Sequence, residues 1–190
     1  MVRPIPDWGE IKLFPTDSRS IVMAVLLAVC FSATMQVTER VDAILLGGLQ
    51  VPLGFMGSSI WFPLGAGLVG ILGGLIIANF NPIIALLTAT NPLAPVFFIG
   101  NTAPIVTMTL LFKVLKKPGQ PMRFLPFWLV FWNVNNVLGN IGQIVVWTTV
   151  LHLPTTLWVS LWLLSWVTCA IGTAIGFFLM RSVIESGIVG

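Results

Sequence analysis

The longest uncharged stretch of this chain runs from Ala43 to Phe112 without a single Asp, Glu, Lys or Arg. A helix needs about 20 apolar residues to cross the roughly 30 Å hydrocarbon core of a bilayer, so this stretch is long enough for several crossings. Only 8% of the 190 residues are charged, whereas soluble domains carry about 25%. Charge this sparse cannot cover a water-exposed surface. The sequence therefore predicts a multi-pass integral protein of the cell membrane.

Proline, glycine and charged residues divide the apolar sequence into six predicted transmembrane helices. The first ends where Glu39 begins a charged cluster, and residues 79–95, with the sequences NFNP and NPLAP, are predicted to form a loop. The expected fold is an all-α bundle of six transmembrane helices in a single domain, residues 1–190. The predicted spans are about 21–38, 43–57, 60–79, 94–115, 124–151 and 156–180.

Basic residues lie almost entirely in three places along the chain. These are the segment before the first span, the gap between the fourth and fifth spans, and the end of the last span. Because Lys and Arg prefer cytoplasmic flanks, the three places are expected on the inner side of the membrane. Six spans satisfy this condition, so residues 1–20 and both termini are predicted to be cytoplasmic. The residues are Arg3, Lys12, Arg19, Lys113, Lys116, Lys117, Arg123 and Arg181.

Small side chains form stripes at helical spacing in two predicted spans. Ala24, Ala28 and Ser32 share one face of the first span, and Ala66, Gly70 and Gly74 are spaced in the same way in the third. Small residues let helix backbones approach closely in lipid. The third-span stripe indicates packing within the bundle. For the first-span stripe, internal packing and docking to a partner helix both remain open.

The sequence NVNNVLGNIGQ, residues 133–143, places five carboxamides inside an apolar span. At about 100° per residue, four of them and Trp147 share an arc of roughly 80°, while Asn135 points elsewhere. Such amides could be hydrogen bonded between helices, but four on one face favour a wet or ligand-filled cavity. Carboxamides suit a polar, uncharged solute. The four are Asn133, which lies deeper toward the cytoplasm, and Asn136, Asn140 and Gln143.

Three tryptophans follow one face of the last span at positions 158, 162 and 166. Trp158 fits a belt of aromatic residues at the membrane interface. Trp166 lies about 12 Å deeper by helical rise, too deep for such a belt. Trp162 and Trp166 are therefore candidates for stacking on a flat ring of the solute, with packing in the bundle as the alternative.

Two further residues lie within reach of the predicted cavity. Glu39, next to Arg40 and near Asp42, belongs either to a solvated turn with a local ion pair or to a charged gate or ligand anchor. Asn101, at the start of the fourth span, is the other candidate. No catalytic motif, nucleotide-binding loop or metal-ligand spacing is found in the sequence, and His152 has no partner at a ligand spacing. The chain is not expected to be an enzyme or to hold a cofactor.

Two stretches resemble the substrate-binding S component of energy-coupling factor (ECF) vitamin transporters. AVLLA at 24–28 is similar to the AxxxA motif of the family's first helix, and WFPLGAGLVGILGGLIIANF at 61–80 is similar to its third helix. The resemblance implies a six-helix vitamin-binding protein whose Ala24 and Ala28 dock on a membrane scaffold subunit that works with ATPase subunits. It also implies that the substrate is bound near the outer face. The residues it would use there are Asn140, Gln143, Trp147, Trp162 and Glu39.

Two other classes of function remain open at this stage. A stand-alone permease or channel would transport a solute without partner subunits. A membrane assembly or structural factor would use only the small-residue stripes.

Overall fold

A computed structural model of the chain describes residues 2–46, 52–88 and 94–189. Four helices come first: α1 Ser18–Leu46, α2 Pro52–Leu68, α3 Gly70–Leu87 and α4 Ala94–Leu115. Helix α5 is α-helical over Phe124–Val134 and Asn140–Val145 and π-helical over Asn135–Gly139 and Val146–Val150. The last helix, α6, is Thr155–Glu185.

The expected all-helical fold with six helices is confirmed. Within the described ranges, α1, α3, α4 and α6 are long and apolar enough to cross a membrane. Helix α2 has 17 residues, and α5 is interrupted by its two π-helical turns. Multi-pass membrane insertion is thus supported for four helices, and six crossings stay a prediction.

Several predicted boundaries differ from the structure. Helix α1 continues past Glu39 to Leu46, because its acidic side chains find polar partners on neighbouring helices. The predicted second and third spans, 43–57 and 60–79, are wrong, since the real break lies between α2 and α3 at Gly70. Gly70 has a φ of +66°, and a side chain there would meet the carbonyl oxygens of Lys12 and Leu13.

The predicted loop at 79–95 is wrong over its first part, because α3 continues through Pro82 to Leu87. A proline inside a helix cannot donate to the carbonyl four residues before it. That carbonyl belongs to Ala78, and the Asn101 side chain of α4 donates to it at 2.6 Å. A neighbouring helix therefore replaces the lost hydrogen bond, as happens in membrane bundles. Residues 89–93 of the predicted loop lie outside the described residues.

Polar and backbone contacts bring both termini to one end of the bundle, called the termini end below. Ile5 and Met122 pair through two backbone hydrogen bonds of 2.8 and 2.9 Å. The Trp8 indole donates to the carbonyl oxygen of Gly67 at 3.1 Å, and Arg19 donates to the carbonyl oxygen of Ile188. The helices consequently alternate in direction. That this end faces the cytoplasm is a prediction from charge.

The segment before α1 is an integral part of the fold. Ile5 is fully buried, and Lys116 forms a 2.5 Å ion pair with Asp7 while its ammonium group lies 4.7 Å from the centre of the Trp8 ring. The Lys116 side chain and the Gly119 backbone N–H together hold the pKa of the Asp7 carboxyl below its usual range. Residues 2–17 therefore cover the termini end of the bundle.

The small-residue stripe of α1 packs inside the chain. Ala24 and Ala28 are fully buried, and a Cβ atom on Gly73 would lie 3.2 Å from that of Ala24. Ser32 donates to the Asn81 side chain of α3 at 3.3 Å. In this structure Ala24, Ala28 and Ser32 are buried and α3 contacts this face, so their predicted docking to a partner stays a prediction that would require this face to become exposed.

Glycines of α6 let its backbone come very close to that of α2. An added Cβ on Gly172 would lie 2.4 Å from the Met56 carbonyl oxygen, and one on Gly176 would lie 2.7 Å from that of Ile60. Backbones approach this closely only where side chains are missing. The predicted stripe in the third span is instead divided by the break at Gly70, although Gly65 and Gly74 still pack together across the α2–α3 turn.

Candidate binding cavity between helices α1 to α5

A partly enclosed cavity of about 60 Å³ lies among α1 to α5. Its lining residues come from the later parts of α1, α3 and α5 and the early parts of α2 and α4. In a bundle of alternating helices, these parts meet in the half of the molecule opposite the termini end. The lining residues are Phe31, Met35, Glu39, Gly54, Phe55, Ser58, Asn81, Pro82, Phe97, Asn101 and Gln143.

Glu39 forms part of the cavity wall and is half-buried. Its carboxylate accepts one hydrogen bond, from the Asn81 side chain at 3.2 Å. The Asn81 oxygen accepts in turn from Ser32 at 3.3 Å and from Gln36 at 3.5 Å. Among the described residues, no Lys, Arg or His forms an ion pair with Glu39. The predicted local ion pair with Arg40 is therefore not formed.

Asp42 has a different environment from Glu39, one turn away. Its side chain is buried, with the residue 1% exposed, and accepts hydrogen bonds from the backbone N–H groups of Leu53 at 3.0 Å and Gly54 at 2.9 Å. These are unpaired donors at the start of α2, where a negative charge is favoured. Asp42 thus caps α2 and fixes the position of Gly54 and Phe55 in the cavity wall.

Gln143 is the member of the predicted amide face that reaches the cavity. The residue is only 6% exposed, and its side chain has no hydrogen-bond partner within the described ranges. Its amide atoms are not among the fully buried atoms that lack a partner, so they are open to the cavity. Water or a solute there can bond to them, and Gln143 is the strongest candidate for a ligand contact.

Asn136 and Asn140 are fully buried and lie outside the cavity lining. The Asn140 side chain donates to the Asn136 carbonyl oxygen at 2.7 Å and to its side-chain oxygen at 2.8 Å. The remaining amide atoms, Nδ2 of Asn136 and Oδ1 of Asn140, have no partner. Of the predicted amide face, Gln143 therefore lines the cavity, whereas Asn136 and Asn140 bond to each other outside its lining.

Asn135, expected to point away from the functional face, supports the cavity wall. Its Nδ2 donates to Ser58 Oγ at 2.9 Å and to Ser59 Oγ at 2.8 Å. Ser58 itself lines the cavity. Residues 135–139 are π-helical, and hydrogen bonds to the fifth residue change the angular step from that of an α-helix; Asn135 itself lies outside the cavity lining.

The three tryptophans predicted to contact the solute lie elsewhere. Trp147 is fully buried in a small cluster with Leu161, packed against the back of Phe55. Trp162 and Trp166 form an edge-to-face pair with ring centres 6.0 Å apart. None of the three lines the cavity; Trp162 and Trp166 lie on α6, which contributes no lining residue, and Trp147 of α5 packs with Leu161 of α6. The aromatic rings that do line it are Phe31, Phe55 and Phe97.

Sequence reasoning missed Asn81, Ser58 and the phenylalanines of the cavity. Asn81 was assigned to the NFNP loop, so its place on a membrane helix beside Glu39 was not considered. An asparagine next to Pro82 in an apolar segment was the available signal, since a proline in a membrane helix usually lies near polar groups that satisfy the freed backbone. The phenylalanines carried no distinguishing signal. Asn101 was correctly named, and it both lines the cavity and binds Ala78.

Acidic residues, histidine and cysteines do not gather in a metal site. The described part of the chain contains no group of three His, Cys, Asp or Glu side chains that could hold an ion. Cys30 and Cys169 are free thiols on different helices. The polar chemistry of the cavity is therefore that of one carboxylate, three carboxamides and a hydroxyl group.

No protein-family model matches this chain, and neither a curated protein nor a solved structure matches it. The resemblance to ECF S components thus rests on two stretches of sequence. In the structure neither stretch is arranged as the resemblance implies. Ala24 and Ala28 are buried, and residues 61–80 include the break between α2 and α3 instead of forming one helix.

Proposed function

We propose that the chain is the substrate-capture subunit of a micronutrient uptake transporter. In this proposal a small, polar, ring-containing molecule, such as a vitamin or vitamin precursor, binds in the cavity lined by Glu39, Asn81 and Gln143 near the outer face. A membrane scaffold subunit and ATPase subunits supply the energy, because the sequence has no nucleotide-binding motif. The observation that carries the proposal is the Gln143 side chain, which lines the cavity and makes no hydrogen bond within the described residues.

The composition of the cavity supports a small-molecule site. Such sites are mostly apolar, with a few polar groups that fix orientation. Here the rings of Phe31, Phe55 and Phe97 accompany the amides of Asn101 and Gln143. The cavity lies at the end of the bundle opposite all basic residues except Arg40, and the charge rule predicts that this is the outer end.

The size of the cavity sets a condition on binding. Its volume of about 60 Å³ is well below the roughly 300–1,000 Å³ of typical ligand pockets. A whole ring-containing molecule therefore requires the lining helices to separate, or lies partly in the cavity mouth. Since α3 covers Ala24 and Ala28, the proposal assigns no residues to docking of the scaffold subunit.

Replacement of Gln143 by leucine tests the proposal. Protein purified from its native membrane should carry a small molecule that native mass spectrometry detects, and Gln143→Leu should lower affinity for it about 10- to 100-fold, because a hydrogen bond in a dry site is lost. Gln120→Leu makes the same change at an exposed position of the termini end and should have no effect. No bound solute, or equal retention by both variants, would contradict capture at this cavity.

Reconstitution in liposomes separates the proposal from its two alternatives. Purified chain alone should show no net transport of the identified solute, and transport should require the partner subunits and ATP. Unaided flux would instead identify a stand-alone permease or channel. A cellular phenotype of a deletion that Gln143→Leu fully complements would identify an assembly or structural factor.

A further inference from the structure

We propose that the solute carries a positively charged nitrogen group, an ammonium or amidinium, which binds to the Glu39 carboxylate. This inference rests on the proposed function, because it assumes that the cavity of α1 to α5 binds a solute. It names the chemical class of that solute more narrowly. The amide face pointed to an uncharged molecule, and the sequence left Glu39 open between a solvated turn and a charged gate or ligand anchor; in the structure Glu39 is part of the cavity wall.

The first observation is that the negative charge of Glu39 has no counter-charge. Its one hydrogen bond comes from the neutral Asn81 amide, and no basic side chain of the described residues forms an ion pair with it. Arg40, its neighbour, is exposed. A charged group removed from water needs a partner of opposite charge or several hydrogen bonds. A cationic solute would provide that partner.

The second observation is the contrast with Asp42. That carboxylate lies in the same part of α1, and the fold supplies it with the backbone donors of Leu53 and Gly54. Glu39 receives no comparable set, although it lies beside the cavity. Asp42, at the start of α2, thus has its hydrogen-bond donors within the protein. Glu39, at the cavity, can still accept further hydrogen bonds.

The third observation is the surroundings of the carboxylate. Three phenylalanine rings, Phe31, Phe55 and Phe97, line the same cavity, and aromatic faces attract cations. The buried amide of Gln143 provides one further polar contact. A volume of about 60 Å³ holds a few water molecules, or an ammonium or amidinium group in their place. The rest of the solute would lie toward the mouth.

A pair of matched probes tests the charge requirement directly. Benzamidine and benzamide have the same flat ring and nearly the same shape, but only benzamidine is cationic. Titrated at millimolar concentrations into wild-type protein in micelles, benzamidine should raise the thermal unfolding midpoint and bind at least about tenfold more tightly than benzamide, as expected for a charge-assisted hydrogen bond. This comparison requires no variant to fold.

Variants then assign the effect to one residue. Glu39→Gln keeps the shape and the hydrogen bonding with Asn81 but removes the charge, so benzamidine affinity should fall about tenfold or more while benzamide affinity is unchanged. Glu185→Gln makes the same change in an ion pair with Arg181 at the termini end and should leave both affinities as in the wild type.

Three results would overturn the inference: no binding of benzamidine, equal binding of the two probes, or benzamidine affinity that survives Glu39→Gln. Failure of the inference is distinguishable from failure of the proposed function. A neutral co-purified solute that is lost in Gln143→Leu but retained by Glu39→Gln would refute the cation site and leave substrate capture in place.

Discussion

Carboxamides along α5 have three different roles that depend on where each side chain finds a partner. Gln143 has none and faces the cavity. Asn135 binds two serines of α2 and thereby holds Ser58 in the cavity wall. Asn133, by contrast, donates to the Leu129 carbonyl oxygen of its own helix at 2.7 Å. Helical position alone does not separate these roles.

Asn135 and Asn133 therefore form a matched pair for measuring interhelical hydrogen bonding. Asn135→Ala should lower the free energy of unfolding by about 1–2 kcal/mol, the upper range for such bonds in membrane bundles. Asn133→Ala should change it by less than about 0.5 kcal/mol, because no other helix loses a partner. Equilibrium unfolding of the two variants in mixed micelles gives both values, and equal destabilisation would contradict the assignment.

Helices in this bundle tolerate residues that normally end them, because neighbouring helices compensate. Pro82 leaves the Ala78 carbonyl without its helical donor, and Asn101 of α4 takes its place. The π-helical turns of α5 bring Asn135 toward α2. The glycines of α6 allow its backbone to approach that of α2. Each of these irregular features thus goes together with a specific contact to one neighbouring helix.

The glycine contact between α2 and α6 should be highly sensitive to added side-chain volume. Gly172→Ala places a methyl group against the Met56 carbonyl oxygen, so the expected loss of stability is about 1–3 kcal/mol from overpacking. Gly172→Leu should abolish folded protein on size-exclusion chromatography. As a control, Ala33→Leu enlarges an exposed small residue of α1 and should leave the elution profile unchanged. Folded Gly172→Leu would show that the two helices can move apart.

Most charged residues of the bundle lie at the termini end, away from the cavity. The ion pair between Asp7 and Lys116 lies at the termini end with the packed segment 2–17, and the cavity lies at the opposite end. Capture from outside requires that the cavity end face the exterior. The distribution of Lys and Arg predicts this orientation.

Thiol labelling tests the orientation of the whole molecule. In a background with Cys30 and Cys169 replaced by serine, a membrane-impermeant maleimide should label Thr156→Cys on intact cells. Gln120→Cys and Ser186→Cys, both exposed at the termini end, should react only after the cells are permeabilised. Labelling of the last two on intact cells would reverse the predicted orientation and remove the case for capture from outside.

Composition and charge placement by themselves determined the broad character of this protein. Sparse charge and long apolar runs predicted a helical membrane protein, and six helices are observed. These properties are local, because hydropathy and basic flanks depend on stretches of about 20 residues. The amide-rich stretch also predicted a polar interior, and Gln143, Asn101 and Glu39 do line one cavity.

Only the tertiary structure decided which polar groups face that cavity and which are satisfied elsewhere. By sequence alone, the stripe of Ala24 and Ala28 fits packing on α3 or on a partner equally well, and Asn81 beside Pro82 fits a loop as well as a helix. The outcome depends on contacts between residues far apart in the chain, such as Asn101 with Ala78 and Asn81 with Glu39. Because buried polar groups must find partners, the packing of the helices determines which groups are left for a solute.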